Sequence, residues 1–169
     1  IQRDGSELSY VYENGLLISA KDANGGIQTF TYDENGNPLS STDAMGNVTL
    51  YECNEAGLIL SSTDPLGNTT TFTYDEAGRM TSQVTPLGNT YTYDYSDGGN
   101  LVSETDPTGR TRTYSYTSEG LVSGETDWNG NTSFYTYDVQ NNLTQTLDAL
   151  GNKTTYSYDI DGNLIGSTD

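Results

Sequence analysis

Hydrophobic residues recur along this chain in two kinds of short segment, separated by polar stretches. In the first kind two aromatic residues stand two apart with Thr, Ser or another small residue between them, as in Thr69-Thr70-Thr71-Phe72-Thr73-Tyr74. Residues two apart share one face of a strand, so the segment reads as a β-strand with its rings on one side. The second kind opens on Leu17, Pro38, Ile59, Met80, Leu101, Val122, Leu143 or Leu164 and commonly runs through Ser and Thr to a Thr-Asp pair. Tyr, Thr and branched aliphatic residues favour strand in both.

The polar stretches share one chemistry. Asp33-Glu34-Asn35-Gly36, Asp64-Pro65-Leu66-Gly67, Asp75-Glu76-Ala77-Gly78 and Asp106-Pro107-Thr108-Gly109 all read Asp-x-x-Gly. The Asp carboxylate can accept a backbone N–H two residues on, Pro presets the next φ, and Gly takes the positive φ that ends the reversal. A type I turn closed by a left-handed residue is a common hairpin loop. Two reversals per unit space the strands about ten residues apart, which predicts an antiparallel meander.

The pattern has a period of 21 residues, seen in Asp22, Asp43, Asp64, Asp106, Asp127, Asp148 and Asp169, with Thr85 the exception. One glycine phase runs Gly25, Gly46, Gly67, Gly88, Gly109, Gly130, Gly151, and a second runs Gly15, Gly36, Gly57, Gly78, Gly99, Gly120, Gly162. Asn141 fills the gap in the second phase, and Asn is the residue that best tolerates the same left-handed backbone. The aromatic pairs are Phe30/Tyr32, Tyr51/Cys53, Phe72/Tyr74, Tyr93/Tyr95, Tyr114/Tyr116, Tyr135/Tyr137 and Tyr156/Tyr158. Tyr10/Tyr12 is displaced by one residue and precedes a shorter turn.

Residues 1–169 therefore read as a single array of about eight units and sixteen strands, all-β, and as a segment of a longer array. The competing architecture is a β-solenoid with one repeat per coil. There equivalent rings would stack at about 4.8 Å, against about 9.6 Å in a meander. Reversal chemistry in both turns favours hairpins.

Composition narrows the function. With 24 acidic against 6 basic residues the net charge is −18, which argues against nucleic acid and anionic lipid as partners. Arg3, Lys21, Arg79, Arg110, Arg112 and Lys153 are scattered rather than clustered. No apolar run approaches the roughly 20 residues needed for a spanning helix, so membrane insertion is not expected. His is absent, which removes the usual general base and zinc ligand. Cys53 is alone, and it stands at a Tyr position, where a small hydrophobe fits better than a reactive thiol.

Tyr32-Asp33-Glu34-Asn35-Gly36-Asn37-Pro38-Leu39, Tyr74-Asp75-Glu76-Ala77-Gly78-Arg79-Met80 and Tyr158-Asp159-Ile160-Asp161-Gly162-Asn163-Leu164 resemble the YD repeats of RHS-repeat proteins. The resemblance covers essentially the whole chain. It implies large secreted or surface proteins whose repeats form one long antiparallel sheet spiralling into a hollow shell, as in bacterial polymorphic toxins, insecticidal toxin complexes and teneurins. In the toxins that shell encloses a C-terminal effector freed by self-cleavage. This chain still follows the repeat at Thr168-Asp169, and its Asp-Pro elements at Asp64 and Asp106 lie two periods apart, so they read as ordinary turns.

No catalytic, cofactor or metal site is expected. The acidic residues recur because the turns recur, whereas glycosidase carboxylates must converge in a cleft and calcium needs six or more oxygens. Asp159-Ile160-Asp161-Gly162-Asn163 lacks the Glu that completes an EF-hand loop. The candidate residues are the aromatic ladder Phe30, Tyr32, Tyr51, Phe72, Tyr74, Tyr93, Tyr95, Tyr114, Tyr116, Tyr135, Tyr137, Tyr156 and Tyr158. It reads as the buried face of a sheet poor in Leu and Ile, and alternatively as a carbohydrate-binding or cell-surface-binding platform. Asn47, Asn68, Asn131, Asn142 and Asn152 are Asn-x-Ser/Thr glycosylation acceptors.

The expected function is a non-enzymatic structural array, extracellular or at the cell surface, forming shell or filament wall. Its alternatives are a glycan- or surface-binding module and a fragment of a toxin-encapsulating shell. The expected partners are neighbouring repeats or identical copies end to end, with glycan or an encapsulated effector further candidates.

Overall fold

The computed structural model describes residues 8–169; Arg3 and the start of the array lie outside the described residues. Two compact units divide the chain near Asn89. The first contains β1 (Ser9–Glu13), β2 (Leu16–Lys21), β3 (Ile27–Tyr32), β4 (Pro38–Thr42), β5 (Val48–Cys53), β6 (Ile59–Thr63), β7 (Thr69–Tyr74) and β8 (Met80–Val84). The second contains β9 (Thr90–Tyr95), β10 (Leu101–Thr105), β11 (Thr111–Tyr116), β12 (Val122–Thr126), β13 (Thr132–Tyr137), β14 (Leu143–Leu147), β15 (Lys153–Tyr158) and β16 (Leu164–Thr168).

Within each unit every strand pairs antiparallel with the next in sequence. The fold is thus an all-β hairpin meander of tandem repeats. The β-solenoid alternative is corrected by these ladders: a coil stacks parallel strands, whereas here both turns of each repeat reverse the chain.

The turns explain the short strands. Asp64 and Asn68 show the arrangement: Asp64 N donates to Asn68 O at 2.9 Å and Gly67 N donates to Asp64 O at 2.9 Å, leaving three residues in the loop. Gly67 holds φ at +85°, and Asn141 takes the same role with φ at +68°. The Asp64 carboxylate accepts Leu66 N at 2.9 Å and Asn68 N at 2.8 Å on one oxygen, and Asn68 Nδ2 at 2.8 Å on the other. One side chain thereby satisfies two backbone donors that the reversal removes from the ladder, and the Asn68 side-chain amide besides. Where the acceptor is a hydroxyl the bond is longer: 3.2 Å from Asn89 N to Thr85, 3.2 Å from Asn100 N to Ser96 and 3.3 Å from Leu121 N to Thr117. A neutral oxygen attracts the N–H less strongly than a carboxylate does.

The displaced first repeat has its own turn. Asn14 and Gly15 both have positive φ, 50° and 83°, which is the two-residue I′ hairpin. The loop is one residue shorter than its equivalents, and this absorbs the one-residue displacement of Tyr10 and Tyr12. They still pair with Ala20 and Leu17.

Residue alternation alone does not predict the bulge found where β2, β4 and each later even-numbered strand pairs with the strand before it; the pairs across the other turn, such as β2 with β3, carry none. Tyr32 lies opposite Pro38 while Thr31 lies opposite Ser40, so Leu39 is an extra residue in β4. The same shift places Leu60 extra in β6, Thr81 in β8, Val102 in β10, Ser123 in β12, Thr144 in β14 and Ile165 in β16. A bulge resets the alternation of a strand by one residue. Its consequence is that Pro38 and Ser41, three apart, both face the side carrying Phe30 and Tyr32.

The carboxyls of Asp43, Asp64, Asp127, Asp138, Asp148 and Asp159 are held below their usual range, chiefly by the side-chain amide of the Asn four residues on and then by its backbone N–H. A depressed folded-state pKa stabilises the fold above the unfolded value, near 4, and that stability is lost as pH falls through the lower folded value. Urea midpoints followed by circular dichroism are therefore expected to fall below about pH 4. Asp127→Asn flattens part of that fall, while the relief of charge repulsion on acidification is common to both proteins. A midpoint difference between the two that does not change between pH 6 and pH 3 contradicts the turn assignment. Independently, Gly67→Ala is expected to cost about 1–2 kcal/mol in the same urea titration, because an L-residue is strained at that φ.

Candidate functional site

The face selected by the bulges is the candidate site. Phe30 and Tyr32 lie opposite Ser41 and Pro38, and Thr49, Tyr51 and Cys53 continue the same side on β5 through the Ser41–Thr49 pair. In the first unit Phe72 and Tyr74 sit on this side by the same register. In the second unit, taken by itself, the equivalent side carries Tyr93, Tyr95, Tyr114, Tyr116, Tyr135, Tyr137, Tyr156 and Tyr158. In β1 every residue is exposed, Tyr10 and Tyr12 included, whereas β5, β7 and β11 show the expected alternation, with rings half-buried and the intervening Thr and Ser mostly exposed.

The rings are less covered than a buried face would require. Among the described residues no apolar side chain is buried; the residues that are buried are the polar Ser61 and Asp106 and the glycine Gly124. A single-layer sheet has no second layer to close over its apolar side, so its rings stay partly exposed.

The two aromatic positions differ in what they do. The hydroxyls of Tyr32, Tyr74, Tyr116, Tyr137 and Tyr158 each donate to a carbonyl fifteen residues earlier, on Leu17, Ile59, Leu101, Val122 and Leu143, at 2.6–2.9 Å. Between hairpins the ladder is short: β2 and β3 pair only at Ser19–Thr29, Ala20–Gln28 and Lys21–Ile27. Leu17 lies two residues beyond the end of that ladder, so the Tyr32 hydroxyl continues the bonding where the two backbones stop pairing. Spacing alone marks both positions simply as rings on one face. The signal for the difference was present, since Phe30 and Phe72 occupy the first position and Phe never occupies the second.

Cys53 stands at a second position, and its Sγ lies 3.7 Å from Pro38 O, where a tyrosine hydroxyl would reach. Burial, and then the Asp33 charge, push its thiol pKa up. Both effects hold the sulfur in its unreactive protonated form.

At the first position two hydroxyls find side chains. Tyr51 Oη lies 3.1 Å from Ser41 Oγ, and Tyr114 Oη donates to Glu104 Oε1 at 3.1 Å. Burial and then the Glu104 hydrogen bond push the Tyr114 pKa up to about 12. Arg112 pairs with Glu125, its Nε 3.0 Å from Oε1, and its guanidinium lies 5.0 Å from the Tyr114 ring centre.

The Asn-x-Ser/Thr asparagines occupy turns. Asn47, Asn68, Asn131, Asn142 and Asn152 each donate Nδ2 to the Asp four residues earlier, at 2.7–3.0 Å. The nitrogen a glycan would occupy is therefore committed to a structural bond, a role legible only once the turn is folded. The acidic turn residues likewise serve the backbone, and the described residues include no group of His, Cys, Asp and Glu placed to hold a metal.

Comparison with known proteins agrees with this architecture. The family described as RHS Repeat matches residues 12–48, 32–61, 54–90, 80–107, 93–132 and 135–169, and the chain belongs to that family. No curated protein matches it. Among solved structures, the TcdB2-TccC3-Cdc42 crystal structure is similar with a TM-score of 0.60 and 21% identity, over 96% of this chain and 12% of that one. The Photorhabdus luminescens Tc holotoxin pore, carrying a TccC3 variant, is similar with a TM-score of 0.57 and 20% identity, over 96% of this chain and 11% of that one. At these identities the likeness is one of fold. The chain thus spans about an eighth of the length of the chain it matches in the first.

Two substitutions test the hydroxyl bridges. Tyr116→Phe is expected to cost about 0.5–1.5 kcal/mol, because the Leu101 carbonyl loses its donor. Cys53→Tyr is expected to raise stability by about 1 kcal/mol, since it restores the ring and lets a hydroxyl reach Pro38. Urea titration of each variant measures both. A neutral Tyr116→Phe together with a destabilising Cys53→Tyr would remove the proposed importance of the bridge.

Proposed function

We propose that the chain is a wall segment of an extracellular RHS array, a scaffold without enzymatic activity that continues into further repeats. The observation that carries this reading is the absence of a buried apolar core among the described residues, while the repeats share one ladder and bulge, and Tyr32, Tyr74, Tyr116, Tyr137 and Tyr158 each bridge to the hairpin before. Such a repeat draws its stability from adjoining repeats, and an array of this kind is quasi-one-dimensional. The acidic residues that would suggest catalysis hold the turns instead, as Asp43, Asp64 and Asp127 do. Family membership and likeness to the Tc holotoxin structure favour the toxin-shell form of the reading over a free filament.

The test is light scattering coupled to size exclusion, with electron microscopy of the same fractions. The expected result is concentration-dependent association through terminal strands, with strips or curved walls in the images. A strictly monomeric species with one sharp melting transition in dilute solution contradicts the wall reading. For localisation, immunodetection in the producing cells is expected to find the parent protein in the medium or at the cell surface, and confinement to the cytosol contradicts it.

A further inference from the structure

In the second unit two adjacent repeats depart from the neutral tyrosine face. The position after the bulge that faces the rings is Ala20, Ser41, Ser62, Gln83, Thr146 or Ser167 in six repeats, but Glu104 and Glu125 in two adjacent ones. No turn requires these carboxylates. Glu104 lies opposite Tyr93, and Glu125 lies opposite Tyr114, so each pairs with an aromatic ring across a strand boundary.

The Tyr114–Glu125 pair is occupied from within the chain. Arg112 donates to Glu125 from Nε at 3.0 Å and from Nη2, and its guanidinium sits 5.0 Å from the Tyr114 ring centre. A planar cation over a ring face, bonded to a carboxylate, is a favourable arrangement for arginine. One repeat earlier the same ring and carboxylate recur as Tyr93 and Glu104, but Tyr91 stands at the arginine's position. Glu104 receives the Tyr114 hydroxyl at 3.1 Å and has Arg112 opposite it, yet that arginine is bonded to Glu125. Two carboxylates therefore share one guanidinium. The excess negative charge reaches the surrounding phenols: Glu104 is a cause, after burial, of the raised pKa of Tyr93 and of Tyr116.

We propose that Tyr93 and Glu104 form a docking point for an arginine side chain of a basic, extended polypeptide partner. The incoming guanidinium lies over the Tyr93 ring and bonds to Glu104, with Tyr91 as a further aromatic wall, and so repeats in trans what Arg112 does in cis. A chain of net charge −18 adds long-range attraction for such a partner. The inference concerns this face alone and holds whether the array is a shell wall or a filament.

The test is fluorescence anisotropy with labelled hexa-arginine and hexa-lysine peptides at physiological salt. Hexa-arginine is expected to bind more tightly than hexa-lysine, because only guanidinium is planar. Glu104→Gln is expected to weaken hexa-arginine binding about tenfold, and Tyr93→Leu comparably. Glu55→Gln, which removes the same charge from an exposed turn, is expected to leave binding within about twofold. Equal losses from Glu104→Gln and Glu55→Gln, equal affinity for the two peptides, or no binding of hexa-arginine overturns the proposal. Glu104→Gln preserves size and an acceptor oxygen for Tyr114, so the test stands even where Tyr93→Leu unfolds.

Discussion

Each hairpin closes on a residue in the left-handed region, and the rest of the architecture follows from that closure. A reversal within three loop residues brings the next strand alongside after only five or six residues. It also leaves backbone donors without ladder partners. The Asp at the start of the turn takes up those donors, and the Asn four residues later returns its amide to the same carboxylate, as at Asp148 and Asn152. The abundance of acid in this chain is to that extent a consequence of its turn chemistry.

Short strands leave little backbone pairing between one hairpin and the next. The tyrosine hydroxyl compensates by bonding to a carbonyl beyond the end of the ladder, while the ring covers neighbouring apolar side chains. This double use distinguishes the second aromatic position from the first, where Phe serves as well as Tyr. It also gives a physical reason for a sheet with few aliphatic residues to hold together: half-buried rings contribute area, and their hydroxyls contribute direction. Because each bridge reaches only the adjacent hairpin, stabilisation passes from neighbour to neighbour.

Surfaces in such an array are repeated by default, so departures from the repeat carry the most information about function. Most departures here are conservative, as with Asn141 in a glycine position or Thr85 in an aspartate position. Glu104, Arg112 and Glu125 are different in kind, because they place charge on a face that is otherwise neutral. Their grouping within two adjacent repeats of the second unit makes that face locally distinct from its equivalents.

The 21-residue period, the strand and turn assignments, the antiparallel order and the sharing of one face by the rings were all legible in the residues, because each depends on contacts within about ten residues. Spacings of two place Phe72 and Tyr74 together whatever else the chain does, and Asp-x-x-Gly reverses locally. The bulge at Leu39 and its equivalents, the destination of the Tyr32 hydroxyl, the engagement of Asn47 by Asp43, and the pairing of Arg112 with Glu125 were decided in three dimensions. Most of these depend on which residue lies opposite which, and a one-residue slip changes every such partner. The incomplete burial of the rings was also beyond the sequence, since periodicity marks a side as apolar without stating what, if anything, covers it.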